Sequence, residues 1–329
     1  MAAHIWIVSP ALADANNGNW QTARRWAHFL RTRYRVTLAN QWPGSSPQSR
    51  LAASPDSAPD LLIALHARRS SAALANFTDA YPERPTLLLL TGTDLYRDIH
   101  TDATAQVALR SAEALVLLQP AGLSELPLDL HARTSVIYQS AKTLQAAKLP
   151  QRFFDVCMVG HLRAEKDPTT FMRASALVNA SRVRMIHIGG ALEPKLGALA
   201  QATEAATPRY RWLGPMAHAA TRQRLKRCHL MAITSSMEGG ANVIIEAVTS
   251  GVAVVASNIS GNRGMLGDDY AGYFAPGDAA ALAQLITRCA SDTRFHALLQ
   301  HQCALRAALF TPEAEQTALL QLVDNLIRN

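Results

Sequence analysis

Charged residues are scarce in this chain. They make up 17% of its 329 residues, where about a quarter is usual for a globular protein. Combined with 49% hydrophobic residues and no low-complexity tract, this excludes disorder as the main state. Cysteine is sparse too: Cys157, Cys228, Cys289 and Cys303, with no CxxC pair among them. That excludes a disulfide framework or a zinc ribbon and leaves reduced core thiols as the expected state. No apolar run approaches the about 20 residues a membrane helix needs. The first residues lack the charged start and long apolar stretch of a signal peptide. A cytoplasmic protein with no stable membrane association is expected. There is no run of five like charges, no basic helix and no RNP-like aromatic motif, so no nucleic-acid partner is expected. The net charge of +7 suits a small anionic substrate.

What is present is an alternation of short apolar runs with helical patterns. Runs lie at Ile5–Val8, Val36–Ala39, Leu61–Leu65, Leu87–Leu90, Leu115–Leu118 and Val136–Tyr138. Amphipathic segments separate them, among them Trp20–Arg33, Ser70–Ala80 and Ala103–Ser111. Strands of four to six apolar residues between helices predict a parallel sheet covered on both faces. The pattern restarts after a polar stretch, Ser140–Arg152, which reads as a linker. Phe154–Val159, Arg184–Ile188, Tyr210–Leu213, Leu230–Thr234 and Val252–Ser257 read as further strands. The expected fold class is α/β, with two doubly wound, Rossmann-like domains facing each other across a cleft. The first spans residues 1–145 and the second 146–311. A last helix over 312–329 opens with Thr311-Pro312-Glu313, a cap followed by proline at the first helical position. It is expected to cross back to the first domain.

The strongest motif is Ser236-Met237-Glu238-Gly239-Gly240-Ala241-Asn242-Val243-Ile244-Ile245-Glu246-Ala247. It follows an apolar strand and opens a helix, and seven residues separate Glu238 from Glu246. Gly239 and Gly240 let the backbone approach a ligand. The amides of Ala241 and Asn242 begin a helix, whose N-terminus favours anions such as a diphosphate. Glu246 can accept from two vicinal hydroxyls, as on a ribose, and Glu238 from sugar hydroxyls. An ordinary strand–turn–helix with Glu246 on a wet face is the alternative. Glu246 lies between Ile245 and Ala247, however, where an idle carboxylate is poorly placed.

The second motif is Gly160-His161-Leu162-Arg163-Ala164-Glu165-Lys166, directly after a strand. Arg163 and Lys166 can converge on one phosphate and stabilise a departing diphosphate. A surface loop with a Glu165–Lys166 ion pair is the plain alternative. In the first domain, Asn16-Asn17-Gly18-Asn19-Trp20 is a glycine-containing loop before a helix. Leu65-His66-Ala67-Arg68-Arg69-Ser70 and Thr91-Gly92-Thr93-Asp94-Leu95-Tyr96-Arg97-Asp98 follow buried strands, where doubly wound proteins place function. Three guanidiniums there suit an anionic acceptor. Alternatively, Arg68 and Arg97 pair with Asp94 and Asp98 as surface bridges.

The E-x7-E segment ending at Glu246 and the Gly-x-Leu-x-x-x-Lys element ending at Lys166 resemble glycosyltransferase family 4, a retaining-type GT-B group. The resemblance implies Glu238 on the donor sugar, Glu246 on the ribose, and a basic pair on the diphosphate. That family usually has Arg where this chain has His161, and Arg163 is the candidate substitute. Across nearly the whole chain, the first-domain strings above and Val136-Ile137-Tyr138-Gln139-Ser140-Ala141 are similar to the selenosugar synthases of selenoneine biosynthesis. This implies transfer of N-acetylglucosamine from UDP-N-acetylglucosamine to selenophosphate, forming a carbon–selenium bond. The implied catalytic residues are Glu238, Lys166, Arg163 and His66. Donor-side residues are Gly18, His161, Arg163, Lys166, Gly189, Gly214, Glu238, Gly239, Gly240, Ala241, Asn242 and Glu246. The acceptor side has Asn19, His66, Arg68, Arg69, Thr93, Asp94 and Arg97. No metal or cofactor is expected, since no DxD-like pair sits at the donor loop. Competing readings are a hydroxyl acceptor on a sugar or lipid, a hydrolase or epimerase on the same scaffold, and a non-catalytic nucleotide-sugar binder. A lipid acceptor calls for an exposed basic-apolar helix. Trp20–Arg33 is the one candidate, and its apolar residues are expected to face the core.

Overall fold

The computed structural model describes residues 2–10, 18–42 and 58–328. The chain forms two compact units, Met1–Gln139 with Pro312–Asn329, and Ser140–Thr311.

Among the described residues, the first unit holds β1 (His4–Val8), α1 (Gly18–Leu30), β2 (Arg35–Ala39), β3 (Leu61–Leu65), α2 (Ser71–Ala80), β4 (Thr86–Leu89), α3 (Ala103–Ser111), β5 (Ala114–Leu117) and β6 (Thr134–Val136). The strands form one sheet in the order β2-β1-β3-β4-β5-β6, every pairing parallel. Successive strand side chains point to opposite faces, so the unbroken apolar runs feed two cores. Leu61, Ile63 and Leu65 pack under Trp26, Phe29 and Leu30 of α1. Leu62 and Ala64 pack on the other face, with Leu74 and Phe77 of α2 and Ala108 and Leu109 of α3. The apolar side of Trp20–Arg33 is thus spent on the core.

In the second unit come β7 (Phe154–Val159), α4 (Pro168–Leu177), β8 (Val183–Ile188), α5 (Pro194–Ala206), β9 (Tyr210–Trp212), α6 (His218–Leu225), β10 (Leu230–Ile233), α7 (Asn242–Val248), β11 (Ala253–Ser257), α8 (Ser260–Leu266), β12 (Tyr273–Phe274), α9 (Ala279–Ser291) and α10 (Thr293–Arg306). The sheet order is β12-β11-β10-β7-β8-β9, again parallel throughout. This is the doubly wound order of a Rossmann-like sheet.

Helix α11 (Pro312–Arg328) belongs to the first unit. Leu319, Leu320 and Val323 complete the core under α1. Its buried Glu315 accepts from Trp26 Nε1 at 2.8 Å and from Arg25 Nε at 2.6 Å. An isolated carboxylate would not be buried there; this one is paired and hydrogen-bonded.

Residues 140–152 are irregular, as a linker would be, but they are bound onto the second unit. Ala141 N donates to Phe310 O at 3.2 Å, Leu144 N to Thr249 O at 3.0 Å, and Arg222 Nη2 donates to Lys142 O at 2.8 Å. These bonds give polar backbone in the stretch fixed partners.

Candidate active site

The second sheet changes winding direction between β7 and β10, and ligands of such sheets bind beyond the strand carboxyl ends at that point. Two loops meet there. Ser236 N donates to Glu165 O at 3.0 Å, and Thr234 Oγ1 donates to the carbonyls of Lys166 and Asp167 at 2.9 and 2.8 Å. Lacing the loops brings Lys166 Nζ into a salt bridge with Glu238 Oε1, which also accepts from Ser235 Oγ at 2.7 Å. Both members are largely buried, so each is needed to offset the desolvation of the other. The sequence suggested Glu165 as the alternative partner of Lys166; the structure pairs Lys166 with Glu238.

The carbonyl of Glu238 faces α8. A Cβ on Gly261 would lie 1.9 Å from it, so only glycine admits this approach. Gly239 and Gly240 make the turn into α7, and Ala241 precedes Asn242 at a helix start that no side chain among the described residues caps. Its first amides lack intrahelical partners. Glu246 lies within α7, buried among Ile244, Ile245, Ala247 and Val248. His218 Nε2 sits 2.7 Å from Glu246 Oε1, and since a carboxylate only accepts, the ring must donate. Arg222, one turn along α6, is buried and donates from Nη2 to Thr249 Oγ1 at 3.2 Å. Burial lowers its pKa while the nearby charge of Glu246 opposes that shift.

Arg163 Nε is buried and has no hydrogen-bond partner among the described residues. His161 Nδ1 accepts from Gly190 N at 3.0 Å. Burial, with Arg163 and Lys166 adding to it, holds this imidazole below its usual pKa. A neutral His161 supplies no charge for an anion, so Arg163 and Lys166 are the cations of this loop. Gly189 and Gly214 adjoin it at the ends of β8 and β9. Gly189 N donates to Gly214 O at 2.9 Å, and a Cβ on Gly189 would fall 1.9 Å from Gly160 O. His187 Nε2 reaches the same Gly160 carbonyl at 3.2 Å, so it donates there and its Nδ1 accepts from Tyr210 OH at 3.0 Å. Burial pulls the His187 pKa down to about 4.

The first unit gathers a separate cluster beyond β3 and β4. His66 takes φ 72, a left-handed conformation costing a non-glycine residue about 1 kcal/mol or more. Its Nδ1 accepts weakly from Arg69 N at 3.4 Å, leaving the proton on Nε2 facing Thr93 Oγ1 at 3.1 Å. Burial pulls its pKa down against the pull of Asp94. Asp94 to Asp98 form a single π-helical turn, a rare geometry frequent at functional sites. Asp94, expected on the acceptor, is fully buried instead. Its Oδ1 accepts from Thr91 N and Oγ1 at 2.9 and 2.7 Å, and its Oδ2 from Ala67 N at 2.9 Å. It therefore ties the two strand-end loops together. Asp98 is the arginine partner: Arg68 Nε lies 2.9 Å from Oδ2 and Arg97 Nε 3.0 Å from Oδ1. Arg69 is exposed beside them. Gly18 and Asn19 begin α1, while Asn16 and Asn17 lie outside the described residues.

The family model for glycosyl transferases group 1 matches residues 140–307, just over half of the chain and the part holding both glutamates. The chain belongs to the glycosyl transferases group 1 family. This glycosyltransferase has the GT-B fold of its structural neighbours. Anabaena HepE, crystallised with UDP and glucose, superposes with a TM-score of 0.79 at 20% identity, over 98% of this chain and 100% of that one. Sucrose-phosphate synthase from Thermosynechococcus elongatus gives 0.80 at 16% identity over 99% of each. S. aureus TarM, as a mutant complexed with Fondaparinux, alpha-GlcNAc-glycerol and UDP, gives 0.65 at 15%, over 82% of this chain and 55% of that one. No curated protein sequence matches the chain. No helix among the described residues is long and apolar enough to cross a membrane.

Several residues that the structure brings to this cluster escape the motifs. Ser235, His218, Arg222 and Gly261 belong to no recognisable string. The only signal is spacing: His218 and Arg222 are four apart, on one face of a helix.

Proposed function

We propose that this glycosyltransferase moves N-acetylglucosamine from UDP-N-acetylglucosamine to selenophosphate. The carrying observation is a pair of buried carboxylates beyond the carboxyl end of a central strand, each with a basic partner: Glu238 with Lys166, Glu246 with His218. In this reading Glu246 holds the ribose hydroxyls, and the turn from Glu238 to Asn242 holds sugar and phosphate. Arg163, with its unpartnered Nε, and Lys166 stabilise the departing diphosphate, so no metal is needed. The anomeric carbon–oxygen bond breaks, UDP leaves with the electron pair, and a carbon–selenium bond forms. An acceptor that is already an anion needs little base catalysis, so rate comes from positioning and leaving-group stabilisation. His66, Arg68, Arg69 and Arg97 serve the acceptor. The selenium part rests on the resemblance of the first-unit strings, with the exposed guanidiniums of Arg68, Arg69 and Arg97 in support. HepE and TarM were crystallised with UDP, which favours a uridine donor.

The test is mass spectrometry of the purified protein with UDP-N-acetylglucosamine, with and without selenophosphate, under anaerobic conditions. A selenium-bearing sugar matched by UDP release is the expected result. UDP release with sugar or lipid hydroxyls alone would transfer the reading to a hydroxyl acceptor. Free sugar without any acceptor would make the protein a hydrolase.

A further inference from the structure

We propose that His218 is the positioning residue of the donor site, fixing Glu246 so that its second oxygen meets the cis-hydroxyls of a nucleoside ribose. The inference rests on the ribose role of Glu246 proposed above.

The geometry makes three points. First, Glu246 is buried along α7 and only Oε1 is occupied, by the His218 ring at 2.7 Å. No group among the described residues donates to Oε2, which leaves that oxygen for a ligand. The Glu246 side chain keeps about a tenth of its surface exposed, so a ligand can reach the oxygen that His218 does not hold.

Second, a competitor stands close by. Arg222 shares the face of α6 with His218, and the charge of Glu246 is felt at its guanidinium. Its Nη2 is anchored to Lys142 O and Thr249 Oγ1 at 2.8 and 3.2 Å, yet its Nε is buried and unpartnered among the described residues. Released from His218, the carboxylate is free to turn toward that Nε. Such a turn buries the ribose-facing oxygen in an internal ion pair. The His218 bond therefore selects one orientation of Glu246 over another.

Third, His218 is not a core residue. It opens α6 with its ring almost half exposed, so replacing it removes an orienting bond without emptying a packed space.

The experiment uses the full chain and two probes, UDP and 2′,3′-dideoxy-UDP, with dissociation constants measured by calorimetry. Glu246→Ala, His218→Ala and His218→Gln are compared with the parent, each checked by thermal melting. His218→Ala should weaken UDP about tenfold, the effect of one lost charge-assisted hydrogen bond. Dideoxy-UDP, which has no hydroxyls for Glu246, should bind parent and variant within about twofold. His218→Gln, whose amide can donate to Oε1, should recover most of the UDP affinity. A purely structural role for His218 would weaken both probes equally, and that result overturns the proposal. So does parent-like UDP binding by His218→Ala while Glu246→Ala is impaired; the ribose reading then stands alone. If Glu246→Ala binds UDP normally, the ribose reading itself fails and takes this inference with it.

Discussion

Gly261→Ala tests the site through a backbone contact, the approach of Gly261 to the Glu238 carbonyl. The added Cβ would sit 1.9 Å from the backbone carbonyl of Glu238. That contact must open by about 1 Å before the atoms cease to overlap, and a carbonyl has no rotamer by which to step aside. Either α8 retreats or the Glu238 turn does. The turn is the looser of the two, because Asn262 on α8 is fixed by Nδ2 bonds to Ser257 O and Oγ at 2.9 and 3.0 Å. Moving the turn carries the Glu238 carboxylate off Ser235 and Lys166. A 1 Å misplacement in a catalytic array costs about 100-fold in rate, whereas overpacking costs about 1–3 kcal/mol of stability. The expected outcome is a folded variant with a modestly lowered melting temperature and kcat for UDP release down about 100-fold, assayed well below its melting point. A folded Gly261→Ala enzyme with parental kcat would refute the reasoning.

Asp98→Asn should release Arg68 and Arg97 from their shared carboxylate and raise the acceptor KM about tenfold while leaving the donor KM unchanged; steady-state kinetics with each substrate varied would show it. Glu315→Ala strips the buried Trp26 N–H and Arg25 of their partner, and should cost about 3 kcal/mol, read as a lowered urea midpoint. His187 makes stability depend on pH. The unfolded ring takes its proton near about pH 6.5, the folded one only near about 4. Between these the unfolded state binds more protons, so stability rises with pH. The contribution, about 3 kcal/mol, is present above pH 6.5 and is lost as pH falls to the folded value. The urea midpoint of His187→Gln should fall less steeply over this window than that of the parent; equal slopes would contradict the assignment.

Much of this architecture is written in apolar run lengths. Leu61–Leu65 and Phe154–Val159 occupy the observed strands residue for residue, because a strand buried on both faces is mostly apolar; the one exception, buried Asp155, is paired with Arg184. The E-x7-E and Lys166 motifs were legible because they are local strings at strand ends. What the sequence hid is long-range or conformationally unusual. Helix α8 carries two glycines and an asparagine in seven residues, a poor helix by propensity. Its glycine is there for the Glu238 carbonyl, a contact no local rule anticipates. Strand β12 is two residues long, too short to show alternation. The Asp94–Asp98 turn hides its division of labour: two aspartates four apart look equivalent, yet one ties loops together and the other orients guanidiniums. The left-handed His66 has no signature at all, since nothing but its surroundings holds it there.

The return of α11 to the first unit makes residues 140–311 an insertion. Its two ends are joined, with Ala141 N on Phe310 O at 3.2 Å, and its span nearly coincides with the family match at 140–307. On the ribosome this has an order to it. The first unit is begun first, yet it lacks Leu319, Leu320 and Val323 of its core until Pro312–Arg328 has been made. The second unit is translated whole within that wait, so it is the first to be complete. Holding the early strands open over so long a loop is entropically mild, since each doubling of loop length costs only about 0.6 kcal/mol. The nascent chain thus finishes its carboxylate-bearing half while the other still exposes an unfinished apolar face, the stretch of synthesis in which a chaperone would find most to hold.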